Sequence, residues 1–351
     1  MTTEEAKQAL VSEIDSLESN FRDLHARVQL AAVRDQVEDF QNQINNLPGR
    51  IQSTRTRGYA FGKEFESQAK DYARRWRSTH TTVARKIESE STSLQSSLRS
   101  TESKVNALRS VRGNLSAARA RIPSAKSAVE DLESKVSAAE EAIRGMYDSM
   151  QNDIYEISRK LDRIEWALDE LDEATFSLIA TESVIMAVEA VMVEGAKEDK
   201  KDPKGVLFLT DQRLLFEQKQ EIATKKVLFV TTEKETVHKL YFENPLASVH
   251  EVEAEHKGFM KNEDHIELKL DVGTRNFHLD GQDCDLWAAQ IKRARDGEYD
   301  QDRAIEIEQE VLDKVKEAPT ICPQCGGQFS QPVLRGQDSI NCEYCGHIVR
   351  L

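Results

Sequence analysis

The sequence has no run of 18 apolar residues, which excludes a membrane-spanning helix. Its first twenty residues include Glu4, Glu5, Glu13, Asp15 and Glu18 and no apolar core segment, so no secretory signal is expected and the chain is assigned to the cytoplasm. Aromatic residues make up only 6% of the 351 residues and apolar residues 39%, against 31% charged. That is too polar for one large globular enzyme, while the apolar spacing is too regular for a disordered chain. Catalytic signatures are missing as well: there is no G-x-x-x-x-G-K-[ST], no G-x-S-x-G, no H-E-x-x-H and no paired Cys/His nucleophile. The many acidic residues single out no catalytic pair, so an enzyme is not expected.

Helix breakers are scarce in the first half. Residues 1–175 contain only Pro48, Pro123 and five glycines, and their apolar positions recur at alternating three- and four-residue steps, the spacing of a coiled-coil seam. One run passes through Leu10, Ile14, Leu17, Phe21, Leu24, Val28 and Ala31, and a second, after a phase slip, through Leu30, Val33, Val37, Phe40, Ile44 and Leu47. Pro48 and Gly49 are expected to stop that helix. A further run from Phe61 to Ile122 is expected to break between Gly113 and Pro123, and the last, from Ala125 to Glu173, reads as one uninterrupted rod. Short breaks permit antiparallel hairpins, so an intrachain bundle and a self-associating coiled coil both remain open.

The formal charge of −14 conceals a division. Residues 51–130 carry 16 Lys/Arg against seven acidic residues, a net of +9, whereas residues 151–200 sum to −8. Such segregation fits helices that pair by charge or a basic face for an anionic partner. Tyr72 and Trp76 among Arg74, Arg75 and Arg77 suit a membrane interface or a nucleic-acid strand, but the same aromatics also continue the helical seam into a core.

From Thr181 the pattern changes to short β-type runs, read as strands near Val184–Val193, Val206–Leu209, Arg213–Gln218, Lys226–Val230, Val237–Phe242, Val249–His256, His265–Asp271 and Arg275–Leu279, followed by a helix from Asp283 to Asp296. Gly205-Val-Leu-Phe-Leu-Thr-Asp-Gln-Arg-Leu-Leu-Phe216 resembles the strand–turn–strand signature of GRAM and bacterial PH-like domains. Asn244-Pro-Leu-Ala-Ser-Val249 is similar to the entry to their next strand, and Trp287 stands where they carry an aromatic in the capping helix. The resemblance covers about residues 181–297 and implies a PH-like β-barrel. In lipid-binding members the connection between the first two strands supplies basic side chains, which here makes Lys197, Lys200, Lys201 and Lys204 candidate contacts to an anionic membrane. Glu198, Asp199 and Asp202 reduce the net charge of that connection to +1, so a plain solvated loop is the alternative.

Four of the five cysteines fall as Cys322-Pro-Gln-Cys325 and Cys342-Glu-Tyr-Cys345 with sixteen residues between the pairs. This spacing suits tetrahedral zinc, because each pair forms a knuckle presenting two thiolates. Gly326 and Gly346 directly follow the knuckles, where positive φ turns N–H groups toward sulfur. The segment resembles a zinc ribbon, and four thiolates leave no open position, so one structural Zn²⁺ is expected. Cys284 reads as a partly buried thiol without a redox role, and the barrel histidines as ordinary sheet residues.

The expected architecture is multidomain: an all-α coiled coil or set of helical hairpins over 1–175, a PH-like β-barrel with a C-terminal capping helix over 181–297, a connecting helix over 298–318 and a small zinc ribbon over 319–351. The expected function is a non-enzymatic scaffold or adaptor that self-associates through the coiled coil, meets a protein partner, and touches an anionic membrane peripherally at its inner face. The alternative is a nucleic-acid-associated, transcription-related zinc-ribbon factor. It is disfavoured because Pro319–Leu351 holds only Arg335 and Arg350 as basic residues.

Overall fold

The computed structural model describes residues 3–195, 197–227, 230–258 and 262–351, with side chains at 4–195, 197–220, 237–258 and 262–351. The chain divides into two compact units, residues 1–49 with 67–158, and residues 50–66 with 159–351.

The first unit is built from α1 (Thr3–Arg27), α2 (Ala31–Thr56), α3 (Phe65–Arg109), α4 (Leu115–Arg144) and α5 (Asp148–Asp172), of which α2, α3 and α5 continue beyond it. The seam residues from Leu10 to Val28 and from Leu30 to Leu47 are buried. The phase slip between them has a backbone cause. Leu30 adopts φ 54°, which interrupts the helix for the residues around it and re-aims the apolar stripe, leaving Ala31 exposed. α3 runs antiparallel to α1 and α2, as the pairs Arg34–Glu88 at 2.9 Å and Arg109–Glu18 at 3.1 Å require. α4 runs antiparallel to α3, with Thr101 donating to the Ala128 carbonyl and Arg121 to that of Ala107. The narrow seam is therefore covered by helices of the same chain.

Three boundaries differ from expectation. Pro48 lies inside α2 and does not end it. A mid-helix proline costs about 3 kcal/mol, but Leu47 before it and Ile51 and Thr54 beyond it are all buried, and this packing carries the helix through. Pro123 is likewise interior to α4, whose start is fixed at Asn114, where the side chain accepts from the Ala117 N–H. The rod expected from Ala125 to Glu173 is two helices, parted at Gly145–Tyr147 by tight bonds from Met146 to Ile143 and from Tyr147 to Arg144. The break turns Tyr147 inward to stack on Phe40 at 5.4 Å, while Trp76 meets Phe40 edge-on at 4.8 Å. Trp76 is buried and donates to Gln41 at 2.6 Å. It is thus a core residue, with Arg74 and Arg75 engaging Asp71 nearby.

The second unit holds a seven-stranded antiparallel sheet: β1 (Val184–Val193), β2 (Lys204–Thr210), β3 (Arg213–Val227), β4 (Val230–Pro245), β5 (Val249–Lys257), β6 (Glu263–Leu270) and β7 (Gly273–Leu279), in the order β4-β3-β2-β1-β7-β6-β5. Helix α6 (Cys284–Arg295), capped by Asp283, packs Trp287 and Ile291 fully into the core. The expected barrel is not closed. Among the described residues β4 pairs only with β3, and β5 only with β6. Pro245 ends β4 without an N–H to donate, and a 3₁₀ turn at Leu246–Ser248 separates it from β5. The strand expected at Arg213–Gln218 runs on to Val227, and the one expected at Val237–Phe242 begins at Val230. The two therefore form one long hairpin which, among the described residues, pairs beyond Gly205↔Gln218 with itself alone. The strand expected over Lys226–Val230 includes residues 228 and 229, which lie outside the described residues. Gly205 is obligatory: a Cβ there would lie 1.8 Å from the Glu217 carbonyl oxygen.

Residues 50–66 belong to this unit. Arg50, just before the basic block, pairs with Asp162 at 2.6 Å and Glu165 at 2.7 Å, and Arg57 within it pairs with Asp169 at 2.8 Å and Asp172 at 2.7 Å of the acidic stretch. Phe61 is fully buried and bridges to Arg303. Ser183 donates to the Gly58 carbonyl at 2.9 Å and accepts from Ala60 N–H at 3.1 Å. The connecting helix expected over 298–318 is shorter, α7 (Gln309–Glu317), preceded by a 3₁₀ turn at Glu298–Asp302. A two-stranded sheet of β8 (Ser339–Asn341) and β9 (Ile348–Arg350) completes the chain.

Candidate metal centre

The four paired cysteines converge. Cys322 and Cys345 place their sulfurs 3.8 Å apart, Cys325 and Cys342 3.5 Å apart, and all four lie within 4.8 Å of one another. A tetrahedral site with bonds of about 2.3 Å to sulfur has edges of about 3.8 Å, so the donor set fits a zinc-like ion without rearrangement. The two knuckles are built alike. Cys322 N–H donates to Gly327 O and Gly326 N–H to Cys322 O, while Cys342 N–H donates to His347 O and Gly346 N–H to Cys342 O. Gly326 at φ 75° and Gly346 at φ 71° make these turns, and β8–β9 holds the second knuckle in register.

Electrostatics point the same way. Burial opposes ionisation of Cys342, but the N–H groups of Cys345 and Tyr344 bring its thiol down to about 7. The His347 N–H favours the Cys345 thiolate, yet the neighbouring Cys325, Cys342 and Cys322 sulfurs push that thiol up to about 12. Four sulfurs this close ionise together only around a cation. These residues can hold a metal ion. His347 contributes its backbone to the knuckle through its carbonyl.

The cysteine module is bound to the sheet. In its central loop Arg335 pairs with Asp300 at 2.8 Å and with Asp211, which Arg303 also contacts at 2.5 Å. The Asp211 side chain is 2% exposed. Its burial raises its pKa, against the pull of the Ser183 N–H and the two guanidiniums. Gly336, at φ 76°, lies so close to Ala180 that a Cβ would be 1.9 Å from the carbonyl oxygen. The preceding turn is fixed by Thr210, whose hydroxyl accepts from the N–H groups of Gln212 and Arg213 and donates to Glu182 at 2.6 Å. Arg213 grips Glu182 through two nitrogens and reaches Glu243 at 2.5 Å. The T-D-Q-R segment that carried the family resemblance is thus a turn that anchors the C-terminal module. Neither composition nor spacing signals this second role.

The lysine-bearing connection lies at the opposite end of β2. Lys197, Lys200, Lys201 and Lys204 are all exposed, and the neighbouring carboxylates are engaged by the fold. Asp202 is buried and accepts the Asp199 N–H at 2.8 Å, Asp199 accepts the Lys201 N–H at 3.0 Å, and Glu198 meets His278 Nδ1 at 2.7 Å. The long β3–β4 hairpin leaves the sheet at this end, with Gln220 accepting the Lys204 N–H at 2.9 Å.

The chain matches no protein-family model and no curated protein. Among solved structures it is similar to the DH/PH domains of p115-RhoGEF, at 14% identity over 84% of this chain and 94% of that one, with a TM-score of 0.20. It is also similar to the DH/PH domains of PDZ-RhoGEF in a complex with GTP-gamma-S activated RhoA, at 14% identity over 85% and 96%, with a TM-score of 0.22. Overlap at that level carries no argument about function. Among the described residues no helix is long and apolar enough to cross a membrane.

Proposed function

We propose that this chain is a non-enzymatic scaffold in which the antiparallel sheet and its capping helix, a PH-like domain of the GRAM type, dock on an anionic membrane surface from the cytoplasmic side. The observation that carries the reading is the β1–β2 connection, where four exposed lysines project while the carboxylates between them bond to backbone or to His278. Each lysine near such a surface contributes about 1 kcal/mol. The helical bundle is the arm through which copies or protein partners assemble. The cysteine module binds one structural Zn²⁺ and holds the β2–β3 turn. Of its two basic residues, Arg335 is committed to Asp211 and Asp300, which disfavours a grip on nucleic acid.

Co-sedimentation of the full chain with vesicles rich in phosphatidylserine tests this reading. Binding should appear at low salt, weaken as salt rises, and fall at least tenfold when Lys197, Lys200, Lys201 and Lys204 are all changed to Glu. Absence of binding to anionic vesicles at low salt removes the membrane role.

A further inference from the structure

Two strand edges beside the cysteine module are unpaired. Among the described residues β8 pairs only with β9, and β4 only with β3. Along an antiparallel ladder, residues alternate between bonding the neighbouring strand and pointing both main-chain groups away from it. Cys342 N–H donates to His347 O at 2.9 Å and Leu351 N–H to Asp338 O at 2.9 Å, so Ile340 is the β8 residue that bonds to Val349, and Asn341 points outward. By the same alternation, the 2.9 Å bond from Leu246 N–H to Gln212 O leaves Glu243 pointing off the edge of β4. The main-chain groups of Asn341 and Glu243 have no partner among the described residues. Exposed edges are ordinarily blunted by charged side chains or proline, and β8, with Ser339, Ile340 and Asn341, has neither.

Both edges border one hollow of about 630 Å³, within the range of about 300–1,000 Å³ that ligand sites span. Phe329, Pro332, Val333 and Ile340 give it an apolar lining, and its charged lining residues are Glu243 and Glu343. Neither is fully neutralised. Glu343 accepts from the uncharged Ser330 hydroxyl, and Glu243 shares the single guanidinium of Arg213 with Glu182. The lining loop belongs to Ala318–Leu334, seventeen consecutive residues without Asp, Glu, Lys or Arg in a chain that is 31% charged. Depletion of charge marks the core of a protein interface.

We propose that this hollow receives an extended segment of a protein partner, which adds as a strand. Its main chain bonds to the free groups of Asn341 and Glu243, and apolar side chains at every second position enter among Phe329, Pro332, Val333 and Ile340. A Lys or Arg flanking them meets Glu343 and Glu243. The two carboxylates exclude a phosphate-bearing occupant. The site works whether or not the lysines of the β1–β2 connection meet a membrane.

The test begins with a random-peptide phage library selected on the full-length protein, the enriched sequence then being made as a synthetic peptide. That sequence should carry apolar residues at alternate positions with Lys or Arg beside them. Bound peptide should slow amide exchange at Asn341 and Glu243 about tenfold or more and leave Ile340, already bonded, unchanged. Asn341→Pro removes an outward N–H without touching the Ile340–Val349 bonds and should weaken binding about tenfold, whereas Asn341→Ala, which keeps the N–H, should bind as the parent does. Glu343→Lys, at an exposed position, should weaken binding by a similar factor. A peptide N-methylated at alternate main-chain nitrogens tests the pairing without altering the protein, and it should fail to bind. Enrichment of acidic sequences or of no common sequence, exchange unchanged at both amides, or full binding of the N-methylated peptide overturns the proposal. So does dimerisation of the protein alone that Asn341→Pro abolishes, which would give the edge to a second copy.

Discussion

Gln212 and Arg335, 123 positions apart, exchange two hydrogen bonds: Arg335 N–H donates to Gln212 Oε1 at 2.5 Å, and Gln212 Nε2 donates to Arg335 O at 3.0 Å. A side-chain amide here pairs with a loop backbone as a neighbouring strand would. It ties the turn at the end of β2 to the module that carries the four cysteines.

Gln212→Ala removes both bonds and leaves an N–H and a carbonyl of a part-buried loop unpaired. The expected cost is about 1–3 kcal/mol, measured as a lower urea midpoint with an unchanged slope. Gln212→Glu should be no better, because it keeps the acceptor and loses the donor.

Arg213→Met strands Glu182, whose side chain is fully buried. Removing one partner of a buried ion pair costs about 3–5 kcal/mol. The double variant Arg213→Met with Glu182→Gln should recover part of that loss in thermal denaturation, which distinguishes an uncompensated charge from a packing defect.

Stripping the metal with a strong chelator should release the cysteine module. Hydrogen exchange is expected to rise across 319–351 and at the Asp211–Arg213 turn, through loss of the Arg335 anchors, while residues 67–144 keep their protection. Unchanged exchange at the turn would show that docking does not depend on the metal.

His265 supplies a pH dependence. It is buried, stacks on His278 at 4.6 Å, lies 3.7 Å from Glu263, and neither ring nitrogen has a hydrogen-bond partner. Burial, then the charges of His278 and Lys257, lowers its pKa below the ordinary 6.5. The unfolded chain then binds the proton more readily, so its contribution to stability is present above about pH 6.5 and lost as pH falls through the lowered value. His265→Phe should flatten the urea midpoint between pH 7.5 and pH 5.

Pro48→Ala should raise the stability of the helical unit by as much as about 3 kcal/mol, since it restores a missing bond inside α2 without touching the buried Leu47 or Ile51.

The helices, most strands and the cysteine centre were legible because each rests on a local pattern: the seam residues from Leu10 to Leu47, the near-continuous apolar run of β1, and the two C-x-x-C pairs. What escaped was decided by distant partners. Pro48 reads as a stop until the burial of Ile51 and Thr54 is known. Tyr147 reads as an ordinary helix residue until Phe40 is opposite it. The hydrogen bonds of Gln212 were likewise hidden, since a polar residue in a turn needs no partner to be plausible.

The segment 50–66 sits among residues 159–351, with Phe61 buried and Gly62 N–H donating to Asp302 at 3.1 Å. The C-terminal unit is therefore not a contiguous stretch of coding sequence. A fragment that starts near residue 159 would lack an internal piece and would be expected to express as an incomplete fold. A synthetic peptide spanning 50–66 should then bind that fragment and restore it, so the short stretch serves as a removable part for splitting and rejoining the protein at will.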